Sequence, residues 1–238
     1  MNPEGFVSFT CKVGETDLHI SVDRDSFTPD LAGFTEKRVL TYRSELESYI
    51  VRDPQFRTTL EPHLIQLPAH PLVLAMVRAG NIAGVGPMAA VAGTFAEFVG
   101  RDLLVLVKQI IVENGGDIFM RTLSATNISV FAGASPFSGR LALEMPPREE
   151  GCGVCTSSGT VGPSLSMGRA DAAVIISAST PLADAVATAA GNQVQTADDL
   201  ATALEFAKSV PDVDGVLLIK DDKMAAWGSV KLLPVQKS

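Results

Sequence analysis

At 238 residues, 46% of them hydrophobic, the chain carries enough apolar material for one large core or two close-packed ones. A formal net charge of -8 and an aromatic share of 6% exclude nucleic acid as the main partner, because phosphate backbones call for a basic surface and single strands for stacking rings. No leader-like segment opens the chain, and the longest apolar run, 103–112, is broken by Lys108 and Gln109. The expectation is therefore no membrane association, and three cysteines, an odd count, fit a reducing cytoplasm.

Two alternating runs, 6–13 and 16–22, flank Gly14-Glu15 and predict a hairpin. Residues 35–51 repeat apolar side chains at helical spacing (Val39, Tyr42, Leu46, Ile50) and stop at Asp53-Pro54. Pro62, Pro68 and Pro71 punctuate an irregular or helical approach to the segment Asn81-Ile-Ala-Gly-Val-Gly-Pro-Met88, read as a glycine loop leading into a small-residue helix over 88–99. Strands are expected over 108–113, 118–122, 127–133, 140–145 and 172–179. A capped helix follows over 180–191, an amphipathic one over 196–210, and a closing hairpin over 216–220 and 224–232. Strands and helices mix without strict alternation, so the fold class is α+β, in a single domain spanning 1–238. Val85-Gly-Pro87 and Val161-Gly-Pro163 form a weak internal echo.

The helix over 180–191 is the segment richest in information. Thr180 suits a cap, Pro181 the first helical position and Gly191 a left-handed stop. Between cap and stop only Asp184 and Thr188 are polar. A helix apolar nearly all round is a buried one, and residues four apart share a face. A carboxylate and a hydroxyl converging in a buried setting fit Mg²⁺, which is held by few protein oxygens and completed by phosphates and water. The alternative is an Asp bonded to a backbone amide or an Arg, with Thr188 bonded back to its own helix.

Asn114-Gly-Gly-Asp117 is either a plain hairpin turn or a place where backbone comes close to a ligand, Asn114 and Asp117 supplying hydrogen bonds. Gly84 and Gly86 precede a helix start of the kind that receives anions, without a Walker lysine. Cys152-Gly-Val-Cys155 lacks further ligands at zinc spacing. Cys155 reads as an accessible dithiol or persulfide carrier, with Cys152 able to resolve it as a disulfide, or as a small buried hydrophobe on a strand. Thr156-Ser-Ser-Gly159 offers donors for phosphate or carbonyl groups but no nucleophile elbow.

The order of these pieces resembles the ApbE-like superfamily, whose best-known members are magnesium-dependent FAD:protein FMN transferases. The likeness runs from about Asn81 to Asn192 and rests on the glycine-led helix, the Gly-Gly-Asp turn, the Thr-Ser-Ser-Gly element and Leu182-Ala-Asp-Ala-Val-Ala-Thr188. Ala83-Gly-Val-Gly-Pro-Met-Ala-Ala-Val-Ala-Gly93 together with Cys155-Thr-Ser-Ser-Gly-Thr-Val-Gly-Pro163 is closer to a short cytoplasmic branch found largely in anaerobic prokaryotes. The resemblance implies Asp184 and Thr188 as side-chain ligands to Mg²⁺. It also implies Asn114, Gly115, Gly116 and Asp117, with Thr156, Ser157, Ser158 and Gly159, around FAD or another nucleotide diphosphate, and a protein acceptor as partner.

Two departures bear on the reaction. The transferases carry an Asp-x-x-x-Lys-Gly-like segment where this chain has Gly84-Val-Gly-Pro-Met-Ala-Ala, and a His-x-x-Asp-Pro-type loop where it has Ser164-Leu-Ser-Met-Gly-Arg169. The expected function is thus a Mg²⁺-assisted flavin or nucleotide pocket, with phosphoryl or nucleotidyl transfer rather than standard FMN transfer as its chemistry. Two alternatives stand beside it. One is a sulfur-trafficking accessory using Cys155, since the short branch is associated with sulfide assimilation into homocysteine. The other is a binding protein that senses a small metabolite without chemistry.

Overall fold

The N-terminal hairpin forms where the alternation places it, β1 (Phe6–Val13) pairing with β2 (Thr16–Asp23). It opens a computed structural model that describes residues 5–65, 68–159 and 167–235. β2 continues into β3 (Ile110–Asn114) and β4 (Asp117–Thr122), then β7 (Arg148–Ser157), β8 (Ala172–Ser177), β9 (Val213–Lys220) and β10 (Lys223–Gly228). Every pairing along this eight-stranded sheet is antiparallel. A small sheet of β5 (Thr126–Ser129), β6 (Leu141–Met145) and β11 (Leu232–Pro234) contributes Leu143 and Met145 to a core shared with Cys152, Val154, Val174 and Leu217 of the long sheet.

The other face is covered by helices α1 (Asp30–Arg52), α3 (Pro71–Ala83), α4 (Val91–Leu103), α5 (Thr180–Gln193) and α6 (Leu200–Ser209), with the short α2 (Gln55–Thr58) beside the first. The result is a three-layer α+β architecture, helices on a long sheet on a small sheet. α5 lies against β7 and β8 with α3, α4 and α6 around it, which is why 11 of its 14 residues are buried. No single helix among the described residues is long and apolar enough to cross a membrane.

Several local expectations are corrected. The approach before residue 81 takes the helical alternative as α3, started by Pro71 and the His70 side chain, whose ring nitrogen accepts from the Leu72 amide; Asn81 to Ala83, read as loop, belong to this helix. Gly84 is the left-handed cap that ends α3, not the lead-in to the next helix. That next helix begins after a 3-10 turn at Pro87–Ala90 and runs to Leu103. Ser179, not Thr180, caps α5, and the helix passes through Gly191 to Gln193. Arg148–Ser157 is one ten-residue strand, so Thr156 and Ser157 pair with β8 instead of forming a loop. The closing strand divides near Gly228: its second half, β11, leaves the long sheet for the small one.

Candidate functional site

The hairpin turn Asn114-Gly-Gly-Asp117 carries two adjacent residues at positive φ, Gly115 at 66° and Gly116 at 108°, a conformation glycine adopts at no steric cost. The turn reading is therefore correct, and its consequence is to deliver Asp117 at the first position of β4, on the helix side of the sheet. There the residue is 8% exposed. The Thr156 amide and the Cys155 thiol favour its charged form, while its Oδ1 has no partner among the described residues. Burial pushes this carboxyl up to about 7, against the pull of those two donors.

Asp184, on α5, is also 8% exposed, and its Oδ2 accepts from the Gly93 amide at 2.8 Å. Burial and the nearby Asp117 hold it well above the ordinary carboxylate range, with the Gly93 and Ala92 amides pulling the other way. A backbone amide is thus one partner of Asp184, as the plainer alternative required, yet the residue also lines a cavity and bonds no arginine among the described residues. The helices approach closely here. A Cβ on Gly93 would lie 2.7 Å from the Thr180 carbonyl oxygen and 2.9 Å from Asp184 Cβ, and one on Gly153 of β7 would lie 2.5 Å from Thr180 Cα. Glu97 of α4 adds a buried carboxylate at the α5 N-terminus, accepting from the Thr180 amide at 2.7 Å and from Arg101.

Asp117, Asp184 and Thr188 line one cavity of about 420 Å³, with Gly86, Met88, Ala92, Met167 and Asn192 among its other walls. A second lobe of about 450 Å³ shares Arg57, Met88, Val91, Ala92 and Asp117 with the first, and adds Asn114, Gly115, Thr16, Leu46, Ile50 and Phe95. The two lobes form one cleft with Asp117 at its middle. Asn114 also ties the turn to α4, its amide donating to the Ala92 carbonyl at 3.1 Å.

Of the residues singled out in the sequence, Gly86, Asn114, Gly115, Asp117, Asp184 and Thr188 come together on this cleft. Gly84 and Gly116 serve their turns instead. Thr156, Ser157, Ser158 and Gly159 do not line either lobe. Strand pairing spends the first two on β8, and the Gly159 amide bonds the Ala170 carbonyl, leaving the Thr156 amide as this element's link to the site. Residues 160–166, including the second Val-Gly-Pro triplet and much of the loop replacing the transferases' histidine element, lie outside the described residues.

The accessible Cys155 is overturned. It is fully buried beneath α5, with its sulfur 3.5 Å from the Thr180 carbonyl oxygen, and burial and neighbouring carboxylates push its thiol well up. A thiol so held is poorly nucleophilic. Cys152, three residues back, projects from the opposite face into the core shared with the small sheet, and burial pushes it up to about 11. The two sulfurs are separated by the sheet, so Cys152 cannot resolve Cys155.

Sequence reasoning missed Arg57, Met167, Asn192 and Glu97. Of these only Glu97 left a signal, as the lone acidic residue in the small-residue run 91–100.

Among the described residues no three His, Cys, Asp or Glu side chains converge on a metal position. Two carboxylates and a hydroxyl on one cavity wall do not cage an ion but match the partial donor set that Mg²⁺ takes when phosphates and water complete its shell. The unpartnered Asp117 Oδ1 is consistent with such a ligand.

The comparisons agree with this architecture. The UPF0280 protein of Methanocella arvoryzae is 48% identical over 187 residues, covering 78% of this chain and 76% of that protein. That of Methanosarcina acetivorans is 42% identical, covering 82% and 78%. Among solved structures, the apo flavinyl transferase ApbE of Pseudomonas stutzeri superposes with a TM-score of 0.61 at 15% identity, covering 93% of each chain. The flavin transferase ApbE of Vibrio cholerae gives 0.62 at 12% identity, covering 93% of this chain and 96% of that one. These likenesses show the ApbE fold. A family model described as "AbpE bacteria" matches residues 1–220, and with the UPF0280 relatives it establishes that the chain belongs to that family.

Proposed function

We propose that the cleft binds a flavin or other nucleotide diphosphate together with Mg²⁺, Asp184 and Thr188 being the side-chain ligands of the cation and Asp117 a carboxylate poised beside it. The observation that carries this reading is the meeting of these three side chains on one cavity wall, one of them with an unpartnered buried oxygen. Mg²⁺ in that position would neutralise phosphate charge, and the protein's part would be to orient the diphosphate and exclude water. The Gly93 amide holds the Asp184 carboxylate on the cavity wall, and Asn114 and the Gly115 backbone border the adjoining lobe, whose Leu46, Ile50 and Phe95 suit an apolar ring.

The reaction is phosphoryl or nucleotidyl transfer, not standard FMN transfer to a protein threonine. Support comes from the sequence, which has neither the transferase lysine before α4 nor the histidine element before α5. Mg²⁺ and FAD together are expected to raise the melting temperature more than either alone, and Asp184→Asn to remove the joint effect. An unchanged joint shift in that variant overturns the cation assignment. Covalent flavinylation of a threonine-bearing peptide by the purified protein would restore the full transferase activity.

A further inference from the structure

We infer that Arg57 receives a phosphate group of the cleft's ligand at the junction of the two lobes, and so makes the site selective for phosphorylated over unphosphorylated forms of one ring system. This rests on the proposed reading of the cleft and names a residue and a selectivity that reading does not contain.

Among the described residues the lobes present two cationic side chains, Arg43 and Arg57. Arg43 is committed: its guanidinium bonds Glu15 at 2.6 Å, Glu47 at 2.8 Å and Thr16 at 3.2 Å. Arg57 lines both lobes, and although its backbone amide bonds the Pro54 carbonyl at 3.2 Å, its side chain makes no hydrogen bond or ion pair among the described residues, Glu15 feeling its charge only through space. Its backbone, by contrast, is fastened on both sides. Upstream, the Asp53 carboxylate is bonded by His63 at 2.7 Å and by the Tyr49 hydroxyl at 3.3 Å. Downstream, the Leu60 carbonyl accepts from the Gly86 amide at 2.9 Å, and His63 is held through its backbone by both ends of the Asn81 amide. The contact at Gly86 is so close that a Cβ there would lie 2.0 Å from the Thr59 carbonyl oxygen.

A guanidinium with its donor fork free, mounted on a fixed backbone, is suited to bidentate recognition of phosphate. Charge balance points the same way. Among the described residues, the first lobe sets Asp117 and Asp184 against Arg57 alone. A divalent cation would offset the carboxylates, leaving the guanidinium as the protein's own positive group for the ligand's oxygens.

The test is calorimetric titration of the full chain, in Mg²⁺, with riboflavin, FMN, FAD and inorganic pyrophosphate, for wild type, Arg57→Ala and Arg57→Lys. Arg57 is exposed, so both variants should melt with the wild type. Arg57→Ala should weaken FMN, FAD and pyrophosphate by roughly 10- to 100-fold, the range for hydrogen bonds to a charged group. Riboflavin should be unaffected, and Arg57→Lys should recover part of the loss. If the wild type binds flavins but Arg57→Ala weakens all of them equally, or none, the Arg57 inference fails and the cleft reading survives. If the wild type binds pyrophosphate in an Arg57-dependent way and no flavin, the inference stands and the flavin reading fails. Binding of none of the four by the wild type overturns both.

Discussion

Strand β7 sends neighbouring residues to opposite faces of the long sheet, and the two faces are built to different ends. Cys152 and Val154 enter the core shared with the small sheet, where Leu143, Met145, Val174 and Leu217 surround them. Gly153 and Cys155 face the helices, where the layer also holds Asp117, Asp184 and Glu97. Both faces are buried. On the first, apolar shape is what has to be satisfied. On the second, backbone amides hold carboxylates in place, and glycines bring α4 and α5 close enough to do it. Equal burial therefore does not mean equal construction: the helix-side face sacrifices side-chain volume and keeps acidic side chains on the cleft.

The largest effect should come from the small-sheet side. Met145 is fully buried, and Met145→Ala is expected to cost about 2–5 kcal/mol in urea unfolding. The increment that Mg²⁺ and FAD add to the variant's melting temperature should stay as in the wild type. Loss of that increment would break the separation of the faces.

A smaller loss of stability with a larger loss of function is expected from Gly93→Ala. The added methyl meets the Thr180 carbonyl oxygen, and overpacking of this kind costs about 1–3 kcal/mol. Because the same movement displaces the amide that holds Asp184, the response to Mg²⁺ and FAD should vanish, as thermal shift would show. A retained response would mean that the Gly93 contact does not position the carboxylate.

The third expectation concerns pH. Burial raises Asp117 to about 7, above an unfolded value of about 4. Between those values the unfolded chain has lost a proton that the folded chain keeps. The group's favourable contribution is therefore fully present below about pH 4 and is lost as pH rises toward 7. Asp117→Asn mimics the protonated carboxyl, so wild-type stability measured against this variant should decline across that window. A difference that does not change with pH would remove Asp117 as the titrating group.

The smallest effect is kinetic and leaves stability untouched. Cys152 and Cys155 should both alkylate slowly in the native protein, and faster in step as denaturant opens it, read by peptide mass spectrometry. Rapid native labelling of Cys155 that added FAD blocks would place a reactive thiol in the cleft and revive the sulfur-carrier alternative.

Local patterning made much of the architecture readable from the chain. The two-residue alternation announced β1 and β2, and helical spacing announced α1. A helix with only Asp184 and Thr188 polar announced its own burial, and paired glycines announced the turn before Asp117. Each of these signals lives within about a dozen residues, the range over which backbone geometry imposes a period on side chains. The same logic left α3 undecided between helix and irregular chain, because repeated prolines precede it, and it misread Asn81 to Ala83 as loop, because glycines follow them. It failed at Thr156 and Ser157, whose hydroxyls read as ligand donors although β8 was waiting to pair with them.

Sequence by itself determined the α+β class, the resemblance to the ApbE-like superfamily and the pairing of Asp184 with Thr188 on one helix face. Tertiary structure alone decided that Asp117 joins them across the cleft, that Glu97 caps α5 from another helix, and that Arg57 reaches the same walls from a segment 127 residues before Asp184. It also decided that two cysteines three residues apart are strangers, because strand alternation becomes a separation of cores only once layers cover both faces of the sheet. The reason is the same in each case. Periodicity sets which way a side chain points, but what it meets there, and whether water reaches it, depends on elements far away in the chain.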